Sequence, residues 1–98
     1  MKNIDYKGLL NWQKEEKDFQ LIDVREISEH EHFNIGGQNI PLSEVVKETN
    51  QLELSKPIVM YCKRGIRSQI AIQRLKIKFP ETEFYNLDKG IYHLSKPN

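Results

Sequence analysis

The sequence predicts an α/β fold built on a mainly parallel sheet. Short apolar runs bounded by turn residues alternate with stretches whose apolar residues recur at helical spacing. One run, Ile58, Val59, Met60 and Tyr61, is apolar at every position, as a strand buried on both faces requires. The chain's 98 residues suffice for one domain with one small core, residues 1–98, and leave no room for a second.

A first helix is predicted over 6–16, capped by Asp5. Tyr6, Leu9, Leu10 and Gln13 share one face, and Trp12, off that stripe, reads as packing at the helix edge. The mixed charges from Lys14 to Asp18 read as a solvated helix end and turn. A strand follows over 19–24 and ends in Asp23, Val24 and Arg25. Two opposite charges at a buried strand end need partners: each other, a neighbouring helix, or a functional loop. A structural role is the favoured expectation. A short polar helix is predicted over 28–33. His30 and His32 hint at a metal, but positions two apart on a helix face different directions and no third ligand is evident, so none is expected.

Residues 34–38 form a turn with two glycines, 39–40 a very short strand that Pro41 ends, and 42–49 a helix with Leu42, Val45 and Val46 as its apolar side. A connection over 51–57 leads into the central strand. After that strand, Ile66, Ile70, Ala71, Leu75 and Phe79 form a helical stripe that Pro80 breaks. Residues 83–87 alternate as a last strand, 88–90 turn the chain, 91–94 form one helical turn, and 95–98 read as a frayed tail.

Composition excludes several classes. Lys and Arg total 15 against 14 Asp and Glu, so the net charge of +1 lacks the basic excess of a nucleic-acid or membrane-surface binder. A single cysteine excludes an internal disulfide and a cysteine-cluster zinc site. The N-terminal residues have no apolar signal core, and no segment approaches the roughly 18 apolar residues of a membrane span. A cytoplasmic setting, where a thiol stays reduced, is the expectation.

The chemistry concentrates where the central strand gives way to its helix. Cys62 stands at the strand's C-terminal end, followed by Lys63, Arg64, Gly65, Ile66, Arg67 and Ser68. Ligands of open α/β sheets sit beyond the carboxyl ends of the strands. A loop winding into a helix N-terminus aims its N–H groups at one spot and attracts anions, and three cations add to that field. Thiols at helix N-termini or beside cations fall from about 8.5 to roughly 3.5–7.5, and the thiolate is the nucleophile. A lone cysteine is usually a small buried apolar residue, but this placement reverses that reading. Gly65 supplies the backbone freedom the turn needs. Arg67, entering the helix, is better placed than Arg64 to face an anion.

Three blocks, in order and spanning nearly the whole chain, carry a family resemblance. The first is Leu21-Ile22-Asp23-Val24-Arg25-Glu26 followed by I-G-G-Q-N-I-P-L over 35–42; the second is the C-x-x-G-x-R-S loop from Cys62; the third is Tyr85-Asn86-Leu87-Asp88-Lys89-Gly90-Ile91. With them the chain resembles a single-domain rhodanese, of the thiosulfate sulfurtransferase-like family. The resemblance implies a mostly parallel five-stranded sheet with helices on both faces. Family members often carry H-I-P-G-A where this chain has Asn34-Ile35-Gly36-Gly37-Gln38, a departure that bears on the stiffness of that turn and not on the nucleophile.

The resemblance also implies a double displacement. Cys62 takes the outer sulfur of a donor such as thiosulfate as a persulfide, and an acceptor removes it: cyanide, a thiol, or a sulfur-accepting protein. No cofactor, nucleic acid or membrane takes part. Backbone N–H groups from Lys63 to Arg67, including those of Arg64, Gly65 and Ile66, would cradle the persulfide. Lys63 and Arg64 would attract the donor, Arg67 would help hold the thiolate, and Asp23, Arg25 and Ser68 would support the loop. Two other readings stand beside this one. The phosphatase and arsenate-reductase branch of the fold places its arginine six positions after the cysteine, whereas here Ser68 occupies that position and Arg67 falls at five. Non-catalytic rhodanese-like modules often lack the cysteine that this chain has.

Overall fold

A computed structural model of the chain describes residues 1–95, so the predicted tail lies, apart from Ser95, outside the described residues. In chain order the elements are β1 (Lys2–Ile4), α1 (Tyr6–Lys14), β2 (Gln20–Asp23), α2 (Ile27–His32), β3 (Gln38–Asn39), α3 (Leu42–Val45), β4 (Ile58–Tyr61), α4 (Ile66–Lys78), β5 (Phe84–Leu87) and α5 (Tyr92–Ser95). The five strands pair in the order β1-β5-β4-β2-β3, parallel throughout.

Alternation in the strands divides the core between the two faces of the sheet. Ile22, Val24, Ile58, Met60, Cys62 and Phe84 pack on one face with Ala71, Ile72 and Leu75 of α4 and Val45 of α3. Leu21, Val59, Tyr61 and Leu87 pack on the other with Leu9 of α1 and Ile91. Every residue of β4 is buried, which explains its unbroken apolar run. Each large apolar side chain so buried contributes about 1.5–3 kcal/mol, and this anchors α4 and the loop ahead of it. Trp12 packs edge-on to Phe19 and Tyr85, with centroids 5.3 and 5.0 Å away, as its position off the helical stripe implies.

The structure shifts several predicted elements. The strand over 2–4 was not anticipated: it is a short edge strand of which only Ile4 is buried, so it carries little apolar pattern. Helix α1 stops at Lys14, because Glu16 turns left-handed at φ 57° and the Lys17 amide donates to the Trp12 carbonyl. Leu10, placed on the buried face, is 45% exposed. The helix predicted over 42–49 closes after Val45, with Val46 as its C-cap still packed against the core, and a 3-10 turn follows at Thr49–Gln51. The buried stripe of α4 is Ser68, Ala71, Ile72 and Leu75. Ile66 is 62% exposed because it starts the helix at the rim of the sheet, beyond the core. Helix α2 begins one residue early, at Ile27, where Glu26 and Glu29 form a reciprocal cap.

Candidate active site

Cys62 follows directly on β4 and is 1% exposed, so its sulfur sits at the floor of the loop rather than on its crest. Gly65 adopts φ +87°, a left-handed conformation, and there the loop reverses into α4. The reversal turns amides inward. Gly65 N–H donates to Cys62 Sγ at 3.1 Å and Ser68 N–H donates at 3.4 Å, while Ser68 Oγ lies 3.4 Å from the same sulfur. The amides of Lys63, Arg64, Ile66 and Arg67 meet no acceptor among the described residues. A ring of donors around one sulfur favours negative charge there. Over the loop lies a depression of about 160 Å³, lined by Cys62, Lys63, Arg64, Ile66 and Arg67.

The three cations behave differently. Lys63 and Arg64 are exposed, have no carboxylate within ion-pair distance among the described residues, and lie against the ring of Tyr92 at 5.0 and 4.2 Å. Arg67 does not donate to the sulfur. Its two terminal nitrogens grip the Glu29 carboxylate of α2 at 2.6 and 2.9 Å. The hydrogen bonds from Arg67 hold the Glu29 carboxyl down to about 2, against a usual 4.5. Arg67 is raised in turn, by the Glu29 hydrogen bonds first. Arg67, expected to help hold the thiolate, is thus first a strut between loop and helix, with the charge of Cys62 a lesser cause of its raised guanidinium.

Asp23 and Arg25 do pair with each other. Arg25 Nε and Nη2 donate to the Asp23 carboxylate, with Nη2 at 2.7 Å, and Nη2 also donates to the Phe33 carbonyl. His30 Nδ1 lies 2.9 Å from Asp23 Oδ2, so a histidine noted for its metal-like spacing instead ties α2 to β2. Burial works against the charge of Arg25, but the Asp23 hydrogen bonds and charge outweigh it and raise the guanidinium. Neither residue hydrogen-bonds the loop. They fix α2, α2 carries Glu29, and Glu29 holds Arg67, so their support is indirect. Tyr61 OH donates to the Gly36 carbonyl at 2.7 Å, which pins the turn that departs from the family pattern. Burial, with the negative charge of Asp23, raises the Tyr61 phenol.

On the opposite side the loop is held by backbone. The Ile91 amide donates to the carbonyls of Cys62 and Lys63, and the Tyr92 amide to that of Lys63. Gly90 makes this approach possible: at φ +62°, an added Cβ would stand 2.4 Å from the Lys63 carbonyl carbon and oxygen. Below the loop, the Ser68 hydroxyl donates to Asn86 Oδ1, and Asn86 Nδ2 donates to Asn3 Oδ1 at 3.1 Å. A cleft of about 280 Å³ beside the loop shares Lys63 with it and is lined also by Arg25, Glu29 and Tyr92.

Known proteins add to this geometry. The rhodanese-like domain family matches residues 6–96. The chain belongs to the rhodanese-like family. It is 46% identical over 72 residues to the uncharacterized protein YqhL of Bacillus subtilis, covering 72% of this chain and 56% of that protein. It is 34% identical over 80 residues to the adenylyltransferase and sulfurtransferase MOCS3 of Drosophila ananassae, covering 74% of this chain and 18% of that one. The chain thus spans about half of the first relative and a small part of the second. Among solved structures, a rhodanese-like domain protein from Staphylococcus aureus superposes with a TM-score of 0.84 at 24% identity, covering 94% of this chain and 89% of that one.

Glu29, Asn86, Gly90 and Tyr92 received no site role from the sequence. Asn86 had a readable signal: in β5 it shares the inward phase of Phe84, where an apolar residue is the rule. Glu29 sits in a short polar helix and resembles any solvated carboxylate until the fold sets it beside Arg67.

Proposed function

We propose that this chain is a sulfurtransferase that works through a persulfide on Cys62. One observation carries the reading: a near-buried thiol accepts two backbone N–H bonds, beside four amides with no acceptor among the described residues and two cations with no carboxylate partner. Such a site suits a sulfur that alternates between thiolate and persulfide anion.

Thiosulfate is the proposed donor. The Cys62 thiolate attacks its outer sulfur, the S–S bond of thiosulfate breaks, and the electron pair leaves with sulfite. One thiolate and one dianion become one persulfide anion and one dianion. The acceptor, cyanide or a thiolate of a small molecule or protein, then attacks the outer sulfur, and the electron pair of the persulfide bond returns to Sγ. No cofactor enters either step. Gly65 and Ser68 amides hold Sγ, the remaining amides from Lys63 to Arg67 face the outer sulfur or the departing sulfite, and Lys63 and Arg64 draw in the anionic donor. Ile66 forms the exposed lip of the depression. The chemistry needs a reduced thiol, which fits a cytoplasmic setting. MOCS3, by its name both an adenylyltransferase and a sulfurtransferase, supports sulfur transfer as the reaction.

Intact mass after incubation with thiosulfate tests the reading. The expected result is a gain of one sulfur, removed by dithiothreitol and absent from Cys62→Ser. Sulfur transfer to cyanide that persists in Cys62→Ser would overturn it.

A further inference from the structure

The Ser68 hydroxyl lies between two acceptors and has one hydrogen to give. Its oxygen is 3.4 Å from Cys62 Sγ, and its hydrogen goes to Asn86 Oδ1. Ser68, Cys62 and Asn86 are all within 1% of full burial, so no water substitutes for a missing partner. In the resting thiol this arrangement is satisfied: Cys62 S–H faces the lone pairs of Ser68. Once the thiol loses its proton, those lone pairs face a negative sulfur. The hydroxyl then relieves the site by rotating about its Cβ–Oγ bond to donate to Sγ, and Asn86 Oδ1 is left without a donor. No bond to hydrogen breaks in that rotation; only the thiol proton leaves, to solvent.

We propose that Asn86 is a positioning residue that restrains the reactivity of Cys62 by competing with the sulfur for the Ser68 hydrogen. Among the described residues Asn86 neither hydrogen-bonds the sulfur nor lines the depression above it, so the effect acts through Ser68. The side-chain NH2 of Asn86 donates to Asn3 at the exposed edge strand and keeps the carboxamide oxygen turned toward Ser68. The other charged groups around the sulfur are Lys63 and Arg64 on the loop and Arg67 on α4. Behind Arg67 stand Glu29 on α2 and Asp23 and Arg25 at the end of β2, and Asp88 and Lys89 follow β5. None of them hydrogen-bonds Ser68 or Asn86.

The test is the rate of alkylation by iodoacetamide, which depends on the thiolate and not on sulfur transfer, so it stands apart from the proposed activity. Four proteins are compared across pH: wild type, Asn86→Leu, Ser68→Ala and the double variant. Leucine keeps the branching of asparagine, with bulkier methyl groups, and removes its acceptor. Asn86→Leu is expected to react about tenfold faster near neutral pH, the worth of one hydrogen bond. The gain shrinks toward unity at pH values that ionise the thiol in every protein. In the Ser68→Ala background the gain disappears. An Asn86→Leu protein that reacts no faster, or gains equally in both backgrounds, overturns the proposal. Should Asn86→Leu fail to fold, Asn86→Asp replaces it. A carboxylate grips the hydroxyl hydrogen more firmly, so slower alkylation is expected, with a larger drop when Ser68 is present than in the Ser68→Ala background. An equal drop in both overturns the proposal.

Discussion

The loop from Cys62 to Ser68 is held on two sides by different chemistry. On the α5 side the hydrogen bonds are backbone alone: the amides of Ile91 and Tyr92 on the carbonyls of Cys62 and Lys63, with the bare Cα of Gly90 pressed against them, while Lys63 and Arg64 only lie over the Tyr92 ring. On the α2 side they are polar side chains in series, from Arg25 and Asp23 through the His30 ring to α2, and from the Glu29 carboxylate to Arg67. The backbone side does not titrate and tolerates no added atom. The ionic side tolerates changes of shape but depends on protonation, and more weakly on salt. Geometry is thus set on one side and made adjustable on the other.

Removing the root of the ionic side should have the largest effect. Asp23→Ala strands Arg25, 5% exposed, without its carboxylate. The expected loss is about 3–5 kcal/mol of stability, read by urea unfolding. A loss near zero would mean that this series does not hold α2. On the backbone side, Gly90→Ala forces a Cβ to within 2.4 Å of the Lys63 carbonyl. It should cost about 1–3 kcal/mol and, because the carbonyl cannot yield without moving Cys62, slow persulfide formation about tenfold. Stability lost with the rate intact would separate the turn from the site.

The third prediction concerns acid. The Glu29 carboxyl titrates at about 2 in the folded chain against a usual 4.5. A lowered folded value means stability that is fully present above 4.5 and lost as pH falls from 4.5 toward about 2. The wild-type melting temperature should therefore fall across that window more steeply than that of Glu29→Gln. Parallel curves would show that the Glu29–Arg67 pair contributes nothing. The smallest effect belongs to the exposed cations. Lys63→Ala and Arg64→Ala should each raise the KM for thiosulfate a few-fold, with kcat little changed and the difference vanishing in high salt. A salt-independent rise would point to contact with the donor rather than long-range attraction.

The same contrast explains what could be read from the chain. Cys62, Gly65 and the cations are contiguous, and the apolar run of β4 announces the strand that presents them, so both the fold class and the amide-lined thiol of the candidate site were legible. The pairing of Asp23 with Arg25 is one of three options the sequence leaves open, within the structural role it favours at a buried strand end. What escaped acts across long separations through single contacts. Glu29 reaches Arg67 from a helix with no buried residue, and Gly90 matters for where its Cα lies rather than for any side chain. The edge strand β1 escaped because one buried residue leaves no period to detect. Arg67 was assigned to the sulfur because spacing places it near, and spacing cannot reveal a competing carboxylate.

The sheet order puts β1 beside β5, and that has a consequence for how the site is born. Ser68 waits for Asn86, 18 residues later, and Asn86 in turn is bonded to Asn3, 83 residues earlier in the sequence. The carbonyls of Cys62 and Lys63 wait for the amides of Ile91 and Tyr92. During synthesis the thiol therefore leaves the ribosome well before the residues that shape its surroundings. Closing so long a loop is slow relative to local helix formation. The surroundings of the candidate thiol are therefore complete only once β1 and β5 have paired.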